Sequence, residues 1–229
     1  MIYLNTFKGK RIICIEGLDC VGKTTIFNST KNIIQRNNNP ILHALNYNGN
    51  IIFEHFPTDG SEARRIRKTE KNIDEEKLQS LMLEDLVNRT DKFFNQDKES
   101  VMICDRYLFS NYIYSFNMTS VSEFLNTLSG YWAQKNLPMY DIFVKNCLTT
   151  IVVSIPEDVR LKRMFFNRSE SERDSNENEI YQQKLYDRYY NIMSHDRYQL
   201  DKAFNIQLYY PGILQAFSVW EYPYLIAYL

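Results

Sequence analysis

One stretch of this chain can hold phosphate through its backbone alone. Gly17-Leu18-Asp19-Cys20-Val21-Gly22-Lys23-Thr24-Thr25 fits G-x-x-x-x-G-K-[ST] at every fixed position. In such a loop, main-chain N–H groups converge on phosphate oxygens, and the start of a following helix adds positive potential. Lys23 then reaches the β- and γ-phosphates, while the Thr24 hydroxyl faces Mg²⁺. Further along, Val101-Met102-Ile103-Cys104 is an apolar run that ends in Asp105 and Arg106. A carboxylate at a strand end sits where it can face the metal and the loop, which makes Asp105 a candidate metal-shell residue. Arg89 stands in a polar context on a helical stretch and is a candidate clamp for a second anion. Arg163, Arg168 and Arg173 lie in or beside a polar run over 167–178, where a lid could bring them onto a transferring phosphoryl group.

The elements that must carry these residues follow from periodicity. Residues 11–16 read as a short buried strand and 24–35 as a helix, the strand–loop–helix order that the phosphate-binding pattern requires. The run 51–54 is favoured as the second sheet strand because it feeds into His55-Phe56-Pro57; the run 41–45 is then an inserted hairpin arm. A polar loop, Pro57-Thr58-Asp59-Gly60, leaves that strand where open α/β folds place ligand contacts. Arg64, Arg65 and Arg67 follow on a helical stretch, spread over more than one face. Apolar residues at helical spacing predict a helix over 73–94. Residues 101–105 and 149–155 are strands, the latter β-branched and apolar as in a buried central strand. Between them, 110–115 and 121–132 are helices, and Asn111 and Tyr114 are available to a pocket. Residues 136–141 close the second of these helices. Pro156-Glu157-Asp158 opens a helix that runs through 161–166, 177–193 is another, and 205–209 is the last strand. Residues 1–210 thus read as one α/β domain with a lid at about 163–178. The aromatic tail 211–229 packs on that domain or on a partner subunit.

Bulk properties narrow the choice of partner. The chain has 229 residues with 27 Lys+Arg against 28 Asp+Glu, so its net charge gives no reason to expect nucleic acid. The 4 cysteines are widely spaced and form neither a metal-ligand pattern nor a disulfide framework. Cys20 sits in the phosphate loop as a binding position and not as a thiol nucleophile. No run approaches the ~20 apolar residues of a membrane span, and the early first strand leaves no room for a cleaved signal. A reducing cytoplasmic setting is expected. The 17 Tyr and 14 Phe are dispersed, as packing residues are.

A phosphate loop alone leaves kinases, GTPases, motor ATPases and nucleotide-binding regulators open. No Asn-Lys-x-Asp segment for reading guanine occurs. A second-anion arginine, Asp-Arg at a strand end and an arginine-bearing lid suit a kinase with two facing phosphate sites. Such an enzyme works mostly by positioning and charge neutralisation.

Over about residues 10–195 the sequence resembles the thymidylate kinases. The likeness rests on Ile15-Glu16-Gly17-Leu18-Asp19 through Gly22-Lys23-Thr24-Thr25, then Phe56-Pro57 and Asn88-Arg89. It continues with Asp105-Arg106-Tyr107 plus Ser110, and with Leu137-Pro138 before Asp141. The resemblance implies a three-layer P-loop kinase fold: a five-stranded parallel sheet with helices on both sides and a helical lid. It implies ATP- and Mg²⁺-dependent phosphorylation of dTMP to dTDP, commonly by a homodimer. Lys23 and the loop residues Gly17 to Thr25 would then bind the donor phosphates, with Thr24 and Asp105 at the metal. Asp19 would lie near the acceptor sugar or phosphate, and Phe56 and Pro57 would shape the acceptor pocket. Arg89 and Arg106 would hold the acceptor phosphate or reach towards the transferring group. Ser110, Asn111 and Tyr114 would lie near thymine or deoxyribose. Because Cys20 and Val21 are not basic, the catalytic arginine would come from the lid, as Arg168 or Arg173, with Arg163 nearer the adenine or the lid hinge.

Two positions depart from that pattern. His55 stands where many relatives have an arginine on the acceptor phosphate, a loss that Arg64, Arg65 or Arg67 would have to offset. Asp85, four before Arg89, stands where an aromatic often stacks on thymine; either Phe53, Phe56 or Tyr114 supplies the ring, or the base preference is altered or broadened. Two other readings stay open. A deoxynucleoside kinase would need a carboxylate base, for which Glu54 or Asp105 is available. A non-catalytic nucleotide-binding protein would use the lid and tail as partner surfaces.

Overall fold

A computed structural model of the protein describes residues 9–35, 49–69, 74–96, 99–135, 137–165, 179–195 and 197–209. In chain order the elements are β1 Lys10–Glu16, α1 Lys23–Ile34, β2 Asn50–His55, α2 Glu62–Thr69, α3 Glu75–Phe94, β3 Ser100–Asp105, α4 Leu108–Tyr114, α5 Val121–Ala133, α6 Tyr140–Cys147, β4 Leu148–Val153, α7 Glu157–Phe165, α8 Glu179–His195, α9 Arg197–Phe204 and β5 Ile206–Tyr209. The strands form one five-stranded sheet in the order β2-β3-β1-β4-β5, and every neighbouring pair is parallel. The expected three-layer α/β fold with a parallel sheet is therefore present.

Ile12, Ile13, Cys14, Ile15 and Glu16 are all buried. Consecutive burial means that helices cover both faces of β1, which is why parallel strands read as unbroken apolar runs. Registers Ile15↔Asp105 and His55↔Asp105 bring the carboxyl ends of β1, β2 and β3 level. Those ends hold the chemistry-bearing residues. Two of the helices have local reasons to start where they do. The Asp74 carboxylate caps α3 by accepting from the N–H groups of Glu76 and Lys77, and the Ser120 hydroxyl caps α5 through Glu123 N.

Aromatic residues fill the core. Phe109, Tyr112 and Phe124 all pack on Phe204, and Trp132, Phe94 and Tyr140 pack on Phe143. Cys14 and Cys104 are buried neighbours across the β1–β3 pair. Among the described residues no helix is long and apolar enough to cross a membrane.

Two elements depart from the sequence expectation: α9, in a stretch for which no element is expected, and α6. Residues 140–147 do not merely close the preceding helix; they form α6, which packs on β1 and β4. Its buried Phe143, Val144 and Cys147 have helical spacing, but Leu148, its C-cap, is already extended and opens β4. With no breaker between helix and strand, the sequence carries no boundary there. The run 41–45, most of the lid (166–178) and the tail 211–229 lie outside the described residues.

Candidate active site

The phosphate loop needs its two glycines for different reasons. Gly17 has φ +132, and a Cβ there would stand 2.3 Å from the Val153 carbonyl oxygen. Gly22 takes a left-handed conformation, φ 103, at the N-cap of α1, and no side chain caps that helix. The free N–H groups of its first turn thus stay available to an anion. Lys23 is buried, and its ammonium donates to the Leu18 carbonyl at 2.6 Å, inside its own loop. Burial pulls the Lys23 pKa down to about 8, with help from Arg106 and against the pull of Asp19, Asp105 and Glu16. A cation held in so few contacts gains from an arriving phosphate.

Asp105, at the end of β3, accepts a hydrogen bond from the Thr24 hydroxyl at 2.7 Å. His55 Nδ1 lies 3.4 Å from the same carboxylate oxygen. Burial would raise the Asp105 pKa, but the His55 contact, Lys23 and Thr24 outweigh it and hold the pKa low. The other oxygen, Oδ1, is buried and has no hydrogen-bond partner among the described residues. An orphaned anionic oxygen beside a threonine hydroxyl fits a hard divalent cation that shares its shell with phosphate and water.

Across the carboxyl ends lies a second set of residues. Arg106 sits at φ 69, a left-handed conformation that costs a non-glycine residue about 1 kcal/mol or more. That turn aims its guanidinium at Asp19, with which it makes an ion pair, and over the Tyr114 ring at 5.1 Å. Tyr114 donates its hydroxyl to Asp19 Oδ2 at 3.0 Å. Burial acts to raise the Asp19 pKa, yet Arg106, Lys23 and the Tyr114 hydrogen bond hold it well below the usual carboxylate range. Arg89, from α3, forms an ion pair with Glu54 at the end of β2. Its Nε is buried and unpartnered among the described residues. Phe56, Met82, Arg106, Tyr107, Ser110, Asn111 and Tyr114 line a narrow pocket between these groups.

Phe56 precedes Pro57 through a cis peptide bond and packs edge-on against Tyr107. Thr58 donates its backbone N–H to Asp85 Oδ2 at 2.7 Å and its hydroxyl to the other oxygen. Asp85 therefore anchors the loop after Pro57. Of the possible replacement rings, Phe56 and Tyr114 reach the pocket, whereas Phe53 packs edge-on against Phe27. Arg64 turns back to the Pro57 carbonyl at 3.2 Å and pairs with Asp59. Arg65 is mostly exposed and pairs with Glu62, and the side chain of Arg67 lies outside the described residues.

Two organising residues escaped the sequence reading. Glu16 is fully buried and accepts from Tyr107 N at 2.6 Å, from Ser110 N at 3.2 Å and from the Ser110 hydroxyl. It caps α4 from a different strand, so the Ser110 hydroxyl is committed to Glu16. The signal was a carboxylate inside an apolar strand directly before Gly17. Arg160, buried on α7, is gripped by both Glu157 oxygens at 2.6 Å and donates to Gln182 Oε1 at 2.8 Å. It also approaches the Asp19 carbonyl at 3.4 Å, as Arg163 does the Val21 carbonyl. Arg163 thus sits against the phosphate loop, while Arg168 and Arg173 lie outside the described residues.

This arrangement has relatives. The family profile described as Thymidylate kinase matches residues 15–206. The chain belongs to the thymidylate kinase family. Two probable thymidylate kinases of Methanococcus maripaludis, from strains C6 and C7, are 26% and 25% identical over 191 residues, spanning 80% of this chain and 78% of each relative. Among solved structures, the Candida albicans thymidylate kinase matches with TM-score 0.56 at 15% identity, covering 96% of this chain and 88% of its own. The thymidylate kinase of Ehrlichia chaffeensis matches with TM-score 0.53 at 13% identity, covering 96% and 98%. At those identities the two structures speak for the P-loop kinase fold. Membership of the thymidylate kinase family makes the chain a phosphotransferase of the nucleoside monophosphate kinase kind.

Proposed function

We propose that the protein transfers the γ-phosphoryl group of ATP to dTMP, giving dTDP, with Mg²⁺. The observation that carries this reading is the pairing of Glu54 with Arg89. A deoxynucleoside kinase needs a free carboxylate to take the 5′-hydroxyl proton; Glu54 is engaged by a guanidinium whose Nε lacks a partner among the described residues, and Asp105 is turned to Thr24 and His55 beside the donor loop. A guanidinium at the acceptor side suits a substrate that already carries a phosphate.

On this reading the uncapped first turn of α1 and Lys23 bind the donor phosphates. Thr24 and Asp105 would hold Mg²⁺, which neutralises phosphate charge when bound. Asp19 fixes the direction of Arg106 and Tyr114, and Arg106 with Arg89 binds the acceptor phosphate. Phe56, Met82 and Asn111 border the base, and the buried Asn111 Oδ1, which has no hydrogen-bond partner among the described residues, can accept a base N–H. Arg168 or Arg173 supplies the lid charge that Cys20 and Val21 do not.

The test is a panel of thymidine, dTMP, dUMP, dCMP, dAMP and dGMP with ATP and Mg²⁺. The Candida albicans relative is described as having broad substrate specificity, so the panel spans all bases. Turnover of dTMP with none of thymidine is expected. Phosphorylation of thymidine but not of any monophosphate would overturn the reading in favour of a deoxynucleoside kinase.

A further inference from the structure

Helix α4 carries three residues of the acceptor pocket, yet it is only 7 residues long. So short a helix has little order of its own and takes its direction from what holds its ends. Its N-terminal end is held by Glu16. Its C-terminal end is held from two other helices. Arg188, on α8, directs Nη2 at three carbonyls that follow or end α4: Tyr112 at 3.1 Å, Ser115 at 2.9 Å and Met118 at 2.7 Å. The same guanidinium lies 5.3 Å from the Tyr112 ring and 5.7 Å from the Phe116 ring. Gln79, on α3, donates to the Ser115 hydroxyl, which in turn donates to the Asn111 carbonyl. A cation at a helix C-terminus meets both the unsatisfied carbonyls and the negative end of the dipole.

We propose that Arg188 is a positioning residue for the acceptor pocket: it sets the angle of α4, and thereby the placement of Asn111 and Tyr114, without touching substrate. The inference rests on the monophosphate-kinase reading above. Nothing in the phosphate-binding pattern or the Asp-Arg strand end calls for an arginine at this place. Its three hydrogen-bond acceptors are backbone carbonyls of the last turn of α4 and of the segment that follows it, so its hydrogen bonds act on the course of the chain there. α8 also reaches the donor side, because its Gln182 receives Arg160. The donor loop has its own support in Gly17, Gly22 and β1, however. Loss of Arg188 is therefore felt on the acceptor side.

The experiment compares full-length wild type with Arg188→Gln, Arg188→Lys and, as a stability control, Ile34→Ala at the far end of α1. Initial rates are measured against varied ATP and against varied monophosphate, using the one that wild type turns over best, and Tm is recorded for each protein. Arg188→Gln is expected to raise the monophosphate KM about tenfold, the worth of one charge-assisted hydrogen bond. The ATP KM changes by less than about twofold. Arg188→Lys gives the same split at smaller size and carries the test if the glutamine variant does not fold. Ile34→Ala lowers Tm and leaves both KM values in place, as a merely structural loss does. An unchanged monophosphate KM, or both KM values rising together, overturns the assignment of Arg188. A wild type that turns over no monophosphate overturns the functional reading and this inference with it, an outcome distinct from an active wild type whose Arg188 variants show no split.

Discussion

On the proposed reading, the donor and acceptor sides of this site are built in opposite ways. The donor side is one contiguous stretch, Gly17 to Thr25, whose binding groups are mainly backbone N–H groups and one lysine; within it only the Asp19 side chain belongs to the acceptor side, through Arg106 and Tyr114. The acceptor side draws Glu54 and Phe56 from β2 and its loop, Met82 and Arg89 from α3, Arg106 from the end of β3, and Ser110, Asn111 and Tyr114 from α4. Its cations are already matched to carboxylates, Arg106 to Asp19 and Arg89 to Glu54. A backbone site is fixed by local conformation, whereas a side-chain site exists only once distant segments have met. Changes on the donor side should therefore alter chemistry with little effect on stability. Changes on the acceptor side should alter binding and stability together.

The sharpest test of that contrast is Lys23→Ala. It should lower kcat by about 10²–10³-fold, since it removes a donor to charge that develops on the transferring phosphates. Thermal stability should hold or rise, because the buried ammonium is only partly compensated, as its pKa of about 8 reflects. A variant with near-wild-type kcat breaks the donor assignment; a collapse in Tm breaks the claim that the loop stands on its backbone.

Arg89→Ala comes next. It should raise the monophosphate KM by about tenfold or more while the ATP KM stays put. Glu54→Gln checks the same pair from the other side. If Glu54 only holds Arg89, turnover survives. If Glu54 is the base of a nucleoside kinase, turnover is abolished.

The contrast also explains what could be read from the chain. The phosphate loop, β3 ending in Asp105 and the order of the strands were legible, because each depends on neighbours in sequence. Arg89 and Tyr114 could be picked out as residue types, but their partners Glu54 and Asp19 could not be assigned, since those pairings span 35 and 95 residues. Glu16 looked like part of a strand and proved to cap a helix 94 residues away. No residue pattern singles out Arg160 or Arg188. Arg160 is buried and Arg188 half-buried with its Nε enclosed, and burial is a property of the assembled fold. α6 was missed for the opposite reason: it runs into β4 without a breaker, so local signals were silent.

Asp19→Asn tests the coupling of binding to stability, with a pH signature. The native carboxyl titrates below its ordinary value because of Arg106. A group shifted down in this way stabilises the fold above its unfolded pKa, and that stabilisation is lost as pH falls towards the native value. Removing the charge leaves Arg106 half-compensated and should cost about 3 kcal/mol near neutrality. The stability gap between wild type and variant should narrow steadily below about pH 4. A gap that is constant with pH would mean that the Asp19–Arg106 pair contributes shape and not charge.

The smallest expected effect belongs to Asp85→Ala. Asp85 holds Thr58 by two hydrogen bonds, one to backbone and one to hydroxyl, and so fixes the loop that follows Phe56-Pro57. It does not line the pocket. Its loss should cost about 1–2 kcal/mol of stability and raise the monophosphate KM by only about two- to threefold. The rise should be the same for every base that the enzyme accepts, because Asp85 acts on the loop and not on the base. A change that favours one base over another would place Asp85 within reach of the substrate. The acceptor side would then be even more dependent on side chains than its present contacts indicate.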